Sequence, residues 1–348
     1  RLDGDEFGIL LLGGDAKAAS QIFDKLQQNF CKQQEYGGKK YFCTLSAGYA
    51  AYPEDGGNYL ELFKRANYSL EYSKIMGKNR MTVFSRNILA DRERRLELME
   101  LLRESVERGF AGFSIHYQPQ ADTLSGRLCG AEALARWHCG KYGDVSPGEF
   151  IPLMEQSGLI VPFGQWILSH GMAQCLEWRR SRPDFQISVN LSYIQLSQGD
   201  FISFLRTALE ENSLDPSRLI MELTETYLAK AEEDTLRLIA QMKELGVKIA
   251  MDDFGVGYSS LFSLKSIPVD VVKIDRRFVK GITSEPFNAT FIRSITDLCH
   301  DVGRKVCLEG VETKEEYEAV RELGMEYIQG YYFGRPMSAR QFEDRLKE

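Results

Sequence analysis

Met251 to Leu261 reads MDDFGVGYSSL, and how this stretch is placed decides the fold. Two adjacent carboxylates, Asp252 and Asp253, end the apolar run Val247 to Met251, and a turn with Gly255 and Gly257 follows. Strand, paired acids, flexible loop: an α/β barrel presents a catalytic residue at the carboxyl end of a strand in this way. Alone, an Asp-Asp pair before a glycine turn is more often a solvated loop or a helix N-cap. The surrounding chain has to decide.

From Phe113 onward short apolar runs alternate with helical periods. Strands are expected at Phe113–Gln118, Leu128–Ala133, Gln186–Asn190, Leu219–Leu223, Lys248–Met251, Val271–Ile274, Lys305–Leu308 and Tyr327–Ile328. Helices are expected at Pro162–Arg180, Phe201–Glu211, Thr235–Leu245, Asn288–Val302 and Lys314–Leu323. Gly246, Gly303 and Gly324 each stand at a helix end just before the next strand, the usual stop signal. This alternation points to a parallel sheet closed into a barrel. Ser125-Gly126 follows the first strand so closely that this strand is expected to form a hairpin with the second.

Every strand from the second onward ends in a polar or charged group: Glu132, Asn190, Glu222, Asp252-Asp253, Lys273, Glu309 and Gln329. In a barrel these ends converge on one mouth. Two like charges at ~4 Å repel by about 4 kcal/mol at an effective dielectric of roughly 20, so a bare cluster of five carboxylates would protonate or open. Divalent cations relieve this. Oxygen ligands with an Asn carbonyl, and no His or Cys, favour Mg²⁺ or Mn²⁺, with Ca²⁺ as inhibitor or stand-in. Adjacent Asp residues could serve two metals, an arrangement suited to displacement at phosphorus.

Residues 1–86 read as α+β and as part of a domain. A strand is expected at Phe7–Leu12 after an Asp3-Gly4 turn, a helix at Ala16–Phe30, a strand at Tyr41–Tyr52, a helix at Tyr59–Met76 and a short strand at Met81–Phe84. Residues 87–108 form a charged helical connector with Leu96, Met99, Leu102 and Val106 on one stripe, and 109–348 form the barrel.

The 348 residues suffice for two domains, and 43% hydrophobic with 27% charged residues is globular composition. The formal net charge of −7 and the lack of a basic face exclude a nucleic-acid polymer as ligand, but not a small phosphate ligand held by metals. The seven Cys show no Cys-x-x-Cys, and the four His no metal-ligand spacing, so reduced thiols are expected. With no long apolar run and no signal peptide, the segment is expected to be cytoplasmic. Arg1 sits inside what reads as a strand turn, so the chain is expected to be cut from something longer, with an upstream sensor or membrane anchor left open.

Residues 92 to 348 also resemble the EAL domain, the cyclic di-GMP phosphodiesterase. The resemblance is carried by YQPQ at 117–120, EALARW at 132–137, FIPLMEQSGLI at 150–160, VNLS at 189–192, ELTET at 222–226, DDFGVGYSSL at 252–261, KIDRRFV at 273–279, EGVET at 309–313 and QGYYFGRPM at 329–337. Residues 1–86 resemble the carboxyl-terminal half of a GGDEF domain, through RLDGDEFGILL, SAGYAAYPEDG at 46–56 and ANYSLEYSKIMGKNR at 66–80. The fold implied is a modified TIM-type (β/α)8 barrel with an antiparallel first strand, preceded by a partial α+β GGDEF-like domain.

The resemblance implies a metal-dependent hydrolysis of cyclic di-GMP to linear pGpG, by a homodimer joined through the EAL domain. It implies Glu132, Asn190, Glu222 and Asp252 as ligands of one metal, and Asp252, Asp253 and Glu309 as ligands of a second. Lys273 resembles the lysine beside the nucleophilic water, where it orients that water or takes its proton. Glu309 is assigned to catalysis with it. Glu225 resembles the acid that anchors the loop after Asp253. Gln118, Leu134, Arg136, Gln329 and Glu312 fall on the substrate side, together with Glu132, Asn190 and Asp252. Glu155 is read as a helix-face charge, Trp137 and Trp166 as core, and Tyr331, Tyr332 and Phe333 as aromatic packing.

Three departures stand out. Val256 replaces the Thr of DDFGTG, Leu308 replaces an Ala before EGVE, and Tyr193-Ile194 replaces a small-basic pair. No ligand is lost. Asp3 replaces the first Gly of GGDEF, placing a negative side chain where phosphates would approach, so residues 1–86 are not expected to make cyclic di-GMP. A silent cyclic di-GMP receptor and a full-length bifunctional cyclase and phosphodiesterase remain as rival readings.

Overall fold

The structure is a computed structural model. It describes all residues except 33, 198–199, 230, 257–263, 265–266 and 348. The chain divides into two compact units, Arg1–Leu98 and Met99–Glu348. None of the described helices is long and apolar enough to cross a membrane.

In the first unit the expected helices form at Ala16–Phe30 and Tyr59–Ile75. Each starts at a side chain that accepts an otherwise orphaned backbone N–H: Asp15 from Ala18 and Asn58 from Glu61. Strands Ala47–Tyr49 and Met81–Val83 pair in parallel against the second helix. Two expectations are corrected. Phe7–Leu12 is not a strand: only the isolated bridge Asp3–Glu6 forms there, and Phe7, Leu10 and Leu12 are exposed. An apolar run becomes a strand only when a partner takes up its backbone hydrogen bonds, and none does among the described residues. The long strand expected at Tyr41–Tyr52 is reduced to Ala47–Tyr49, while Tyr41 ends a separate hairpin in which Gly37-Gly38 turns Gln34–Tyr36 back onto Lys39–Tyr41.

The charged segment expected to be helical forms the helix Arg86–Glu107. Eight strands then close the barrel: β1 Phe113–Asp122, β2 Leu128–Cys139, β3 Gln186–Asn190, β4 Leu219–Thr224, β5 Lys248–Phe254, β6 Val271–Ile274, β7 Lys305–Glu309 and β8 Tyr327–Gln329. Strands β2 to β8 run parallel, and β1 runs antiparallel to both neighbours, β2 and β8. The hairpin expected at Ser125-Gly126 is therefore present. Gly246 and Gly303 follow the last caps of their helices with φ of +91° and +72°, as their stop role requires, whereas the helix before Gly324 already ends at Val320, and Gly324 (φ +99°) lies in the turn beyond it.

The barrel interior is layered by the two-residue alternation of strands. Ile220, Ala250, Val271 and Cys307 form one buried apolar cluster. Two residues further along the same strands stand Glu222, Asp252, Lys273 and Glu309. The sheet thus lifts a charged layer onto an apolar floor at the carboxyl ends of its strands. Outside, Phe113, Trp137, Phe150, Phe163 and Trp166 form an aromatic cluster that packs the helices against β1 and β2. Trp137 is core as expected, whereas Trp166 is only half-buried.

Candidate active site at the barrel mouth

Lys273 is the centre of the mouth. Its side chain is 2% exposed, and its ammonium meets carboxylates from four other strands. Nζ lies 2.6 Å from Glu222, 2.7 Å from Glu309 and 3.3 Å from both Glu132 and Asp252. One ammonium cannot balance four carboxylates, so the cluster is strongly anionic if all ionise.

The titration shifts follow. Burial pushes Glu222 well above the ordinary carboxylate range, and Glu132 adds to it. Burial raises Glu309 to about 7 against the pull of Lys273, with Asp252 and Glu132 adding to the rise. Burial and then Asp252 raise Asp253. Glu132 moves the other way. Burial opposes its charge, but Lys273 and hydrogen bonds from Gln329, Asn190 and Lys273 outweigh it and hold its carboxyl below the ordinary value. Lys273 is raised well above its own ordinary value: burial disfavours the ammonium, and the carboxylates of Asp252, Glu132, Glu222 and Glu309 prevail. In this setting Lys273 is a proton donor held in place.

Adjacent Asp252 and Asp253 would face opposite sides of a regular strand. They do not, because the register of β5 against β6 slips between Met251 and Phe254. Asp253 takes φ +57° there, a left-handed conformation that an extra residue in a bulge commonly needs. One oxygen each of Asp252, Asp253 and Glu309 then lie within 4.8 Å of one another. Phe254 returns to the core, and Gly255 N donates to the buried Glu225 at 2.9 Å. Gly255 has φ +93°, and a Cβ there would lie 2.5 Å from the ring of Phe278, so both backbone and space require glycine. Val256 N donates to the Asp253 carbonyl at 3.2 Å. Gly257 and the Tyr258–Leu261 part of the opening motif lie outside the described residues.

Among the described residues, two buried oxygens of this cluster, Glu222 Oε1 and Asp252 Oδ1, have no hydrogen-bond partner. Asp252 Oδ1 is within ion-pair reach of Lys273 but not in hydrogen-bond geometry. Orphaned buried carboxylate oxygens beside a three-carboxylate group fit a hard divalent cation, and the all-oxygen donor set matches Mg²⁺ or Mn²⁺ better than a thiophilic metal.

The remaining expected residues fall as follows. Asn190 Nδ2 donates to Glu132 Oε1 at 2.8 Å, and Gln329 Nε2 donates to Glu132 Oε2 at 2.6 Å and to Gln118 Oε1 at 3.2 Å. Leu134 and Arg136 continue the face of Glu132 along β2, both half-buried, opposite His116 and Ser114 of β1. Arg136 lies on extended backbone, because β2 continues past Ala133 to Cys139, held by β1 and by strand Gly143–Val145. Its Nη1 donates to the Ala135 carbonyl. Glu312 is exposed and makes no ion pair with the Lys273 cluster among the described residues. Tyr332 and Phe333 pack on Tyr317 as expected, but Tyr331 is stacked instead by Arg335 at 4.1 Å.

Sequence reading missed Gln120, Ser188 and Glu155. Gln120 Nε2 donates to Gln329 Oε1 at 3.0 Å and to Ser188 Oγ at 3.4 Å. Ser192 Oγ, two residues after Asn190, donates to Glu155 at 2.6 Å. The available signal was alternation: Gln120 is two residues from Gln118, and Ser188 two from Asn190.

The EAL domain family model matches residues 99–336, and the model described as diguanylate cyclase, GGDEF domain, matches residues 1–80. The bifunctional diguanylate cyclase/cyclic di-GMP phosphodiesterase MucR of Pseudomonas aeruginosa is 35% identical over 342 residues, covering 98% of this chain and 50% of that protein. The cyclic di-GMP phosphodiesterase NbdA of the same organism is 32% identical over 351 residues, covering 100% of this chain and 44% of that protein. The chain thus spans half, or less, of the length of these relatives. Among solved structures, the MucR phosphodiesterase in complex with c-di-GMP aligns with a TM-score of 0.66 at 38% identity, over 71% of this chain and 99% of that one. An EAL domain protein from Listeria monocytogenes aligns with a TM-score of 0.62 at 30% identity, over 72% and 97%. With its barrel carrying the acids of four strands at one mouth and its match spanning 99–336, this chain belongs to the EAL domain family.

Proposed function

We propose that this chain hydrolyses cyclic di-GMP to linear pGpG with the help of two divalent cations, Mg²⁺ or Mn²⁺. One observation carries the reading: a buried lysine ringed by carboxylates of four strands, with orphaned oxygens beside it. Such a charge excess is costly to bury and is relieved by cations. Glu132, Asn190, Glu222 and Asp252 would hold one cation, and Asp252, Asp253 and Glu309 the second. When bound, these cations would lower the pKa of water and polarise a phosphoryl oxygen.

The chain's own groups do the rest. Lys273 Nζ donates to and orients the oxygen that approaches phosphorus. Glu309, whose carboxyl burial raises to about 7 in the metal-free site, would be a carboxylate once the cation is held, beside the water whose proton is removed. Arg136 offers a guanidinium and Gln118 an amide to the phosphate and guanine of the ligand. Glu225 pins Gly255, and so the bulge that aims Asp253. In the net reaction water adds to one phosphodiester, the P–O3′ bond breaks, and the 3′ oxygen leaves with a proton.

The barrel segment is proposed to begin near residue 109, after the connector at 87–108, and residues 1–86 to serve a regulatory or structural part. A homodimer through the barrel and a cytoplasmic setting belong to the same proposal. The deciding experiment incubates the chain with cyclic di-GMP and Mn²⁺ and separates products by chromatography, with Asp252→Asn as control. Formation of pGpG by the wild type alone is expected. Intact ligand after long incubation would establish the receptor reading instead.

A further inference from the structure

Two strands put a polar residue on the barrel floor. Beneath Glu222, Asp252, Lys273 and Glu309 the floor is Ile220, Ala250, Val271 and Cys307. Beneath Gln118 and Asn190 it is Gln120 and Ser188, 4% and 1% exposed. A buried amide is costly unless its hydrogen bonds are made, so a glutamine on a barrel floor calls for a reason. Gln120 stands opposite Gly130 on β2 and Gln329 on β8. A Cβ at position 130 would meet Gln120 Oε1 at 3.0 Å, so the glycine opposite leaves the space that this amide fills.

The donors run in one direction. Gln120 Nε2 donates to Gln329 Oε1, and Gln329 Nε2 donates to Glu132 Oε2 and to Gln118 Oε1. An amide has one donor end and one acceptor end. Turning Gln329 over would set its oxygen against Gln118 Oε1 and the Glu132 carboxylate, and its NH₂ against that of Gln120. Gln118 Oε1 is taken by Gln329, and the donor end of Gln118 makes no hydrogen bond among the described residues. We propose that Gln120 is a positioning residue: together with the Glu132 carboxylate it fixes the polarity of the Gln329 amide and, through it, of Gln118, so that this wall of the mouth offers the N–H donors of Gln118 to acceptor atoms of a ligand. The ligand's identity rests on the function proposed above. On a guanine the matching acceptors are O6 and N7, whereas an adenine presents an amino donor in place of O6. The same device therefore favours a guanine over an adenine ligand.

The test uses the whole chain. Gln120→Met removes the donor at nearly constant length, and Gly130→Ala crowds the same amide without changing it. Three quantities are read: the side-chain amide signals of Gln329 and Gln118 by ¹H–¹⁵N NMR in metal-free protein, the Mn²⁺ affinity, and KM against kcat for cyclic di-GMP. The amide signals are assigned by their loss in Gln329→Glu and Gln118→Glu. In Gln120→Met both sets of signals are expected to shift. The Mn²⁺ Kd and the KM should each rise about three- to tenfold, the worth of one buried hydrogen bond, with kcat at saturating Mn²⁺ within about twofold. Unchanged amide signals in a folded variant would overturn the proposal, as would a lowered melting temperature with Mn²⁺ affinity and KM unmoved. Should Gln120→Met fail to fold, Gly130→Ala is judged by the same criteria. The amide and Mn²⁺ readouts need no turnover, so a wild type that leaves cyclic di-GMP intact would defeat the function proposed above and leave this result standing.

Discussion

Lys273 Nζ and Glu222 Oε2 lie 2.6 Å apart, both side chains 2% or less exposed, at the point where three more strands deliver their charges. Removing the cation would leave the buried carboxylates uncompensated. Lys273→Met is therefore expected to destabilise the metal-free protein by about 3 kcal/mol or more, as breaking a buried pair does. Mn²⁺ should restore more stability to this variant than to the wild type, which thermal melts with and without the ion would show. Turnover should fall by about 10²-fold or more, since the group that orients the attacking oxygen is gone.

Asp253 holds a left-handed conformation as well as a carboxylate, and the two contributions separate by substitution. Asp253→Asn keeps a residue that tolerates positive φ, and Asp253→Gly removes the strain. Both should fold with near wild-type stability and bind Mn²⁺ more weakly. Asp253→Ala should lose about 1 kcal/mol more than Asp253→Asn in denaturant unfolding.

The carboxyl of Glu309 gives a pH signature. Its folded value of about 7 lies above the ordinary 4.5, chiefly through burial. A raised acid stabilises the metal-free fold below about 4.5, and that contribution is lost as pH rises through about 7. Cation binding must expel this proton. Mn²⁺ affinity is thus expected to climb between pH 5 and about 7 and to level off above, with proton release on binding. Calorimetry in buffers of different ionisation enthalpy measures both.

Gly255→Ala places a methyl against Phe278 at φ +93°. It should cost about 1–3 kcal/mol and weaken the Gly255–Glu225 bond. Because the bulge above depends on that bond, turnover should fall further than the loss of stability accounts for. Comparing activity at a temperature where both proteins are folded checks this.

A fragment starting at Asn87 keeps the connecting helix and the whole barrel. It should melt as one unit and retain Mn²⁺ binding within about twofold. A fragment that fails to fold would move the proposed domain limits.

The barrel was legible because its cues are local. An apolar run ending in an acid, a glycine after a helix and a short turn at Ser125-Gly126 each need only a few residues of context. The carboxylate ring was legible for the same reason, since each acid stands at its own strand end. What sequence could not supply was long-range pairing. Phe7–Leu12 has the residues of a strand but finds no partner, and Arg136 lies on an extended strand because Phe113 and Val145 pair with its neighbour Trp137. The floor glutamine was missed because Gln120 reads as one more polar residue until β8 closes beside it. Glu312 shows the reverse: a motif position that the fold leaves in solvent.

The reversed first strand has a mechanical consequence. In an all-parallel barrel the polypeptide arrives at the floor, far from the reacting groups. Here β1 starts at Phe113, opposite Trp137 and beyond the mouth, and descends past Gln118 to Gln120. The chain is therefore fed in on the substrate side. Tension or rotation applied upstream of Phe113 would load first the wall that carries the two glutamine amides. A reach of only a few residues separates Phe113 from the hydrogen bonds that hold Glu132.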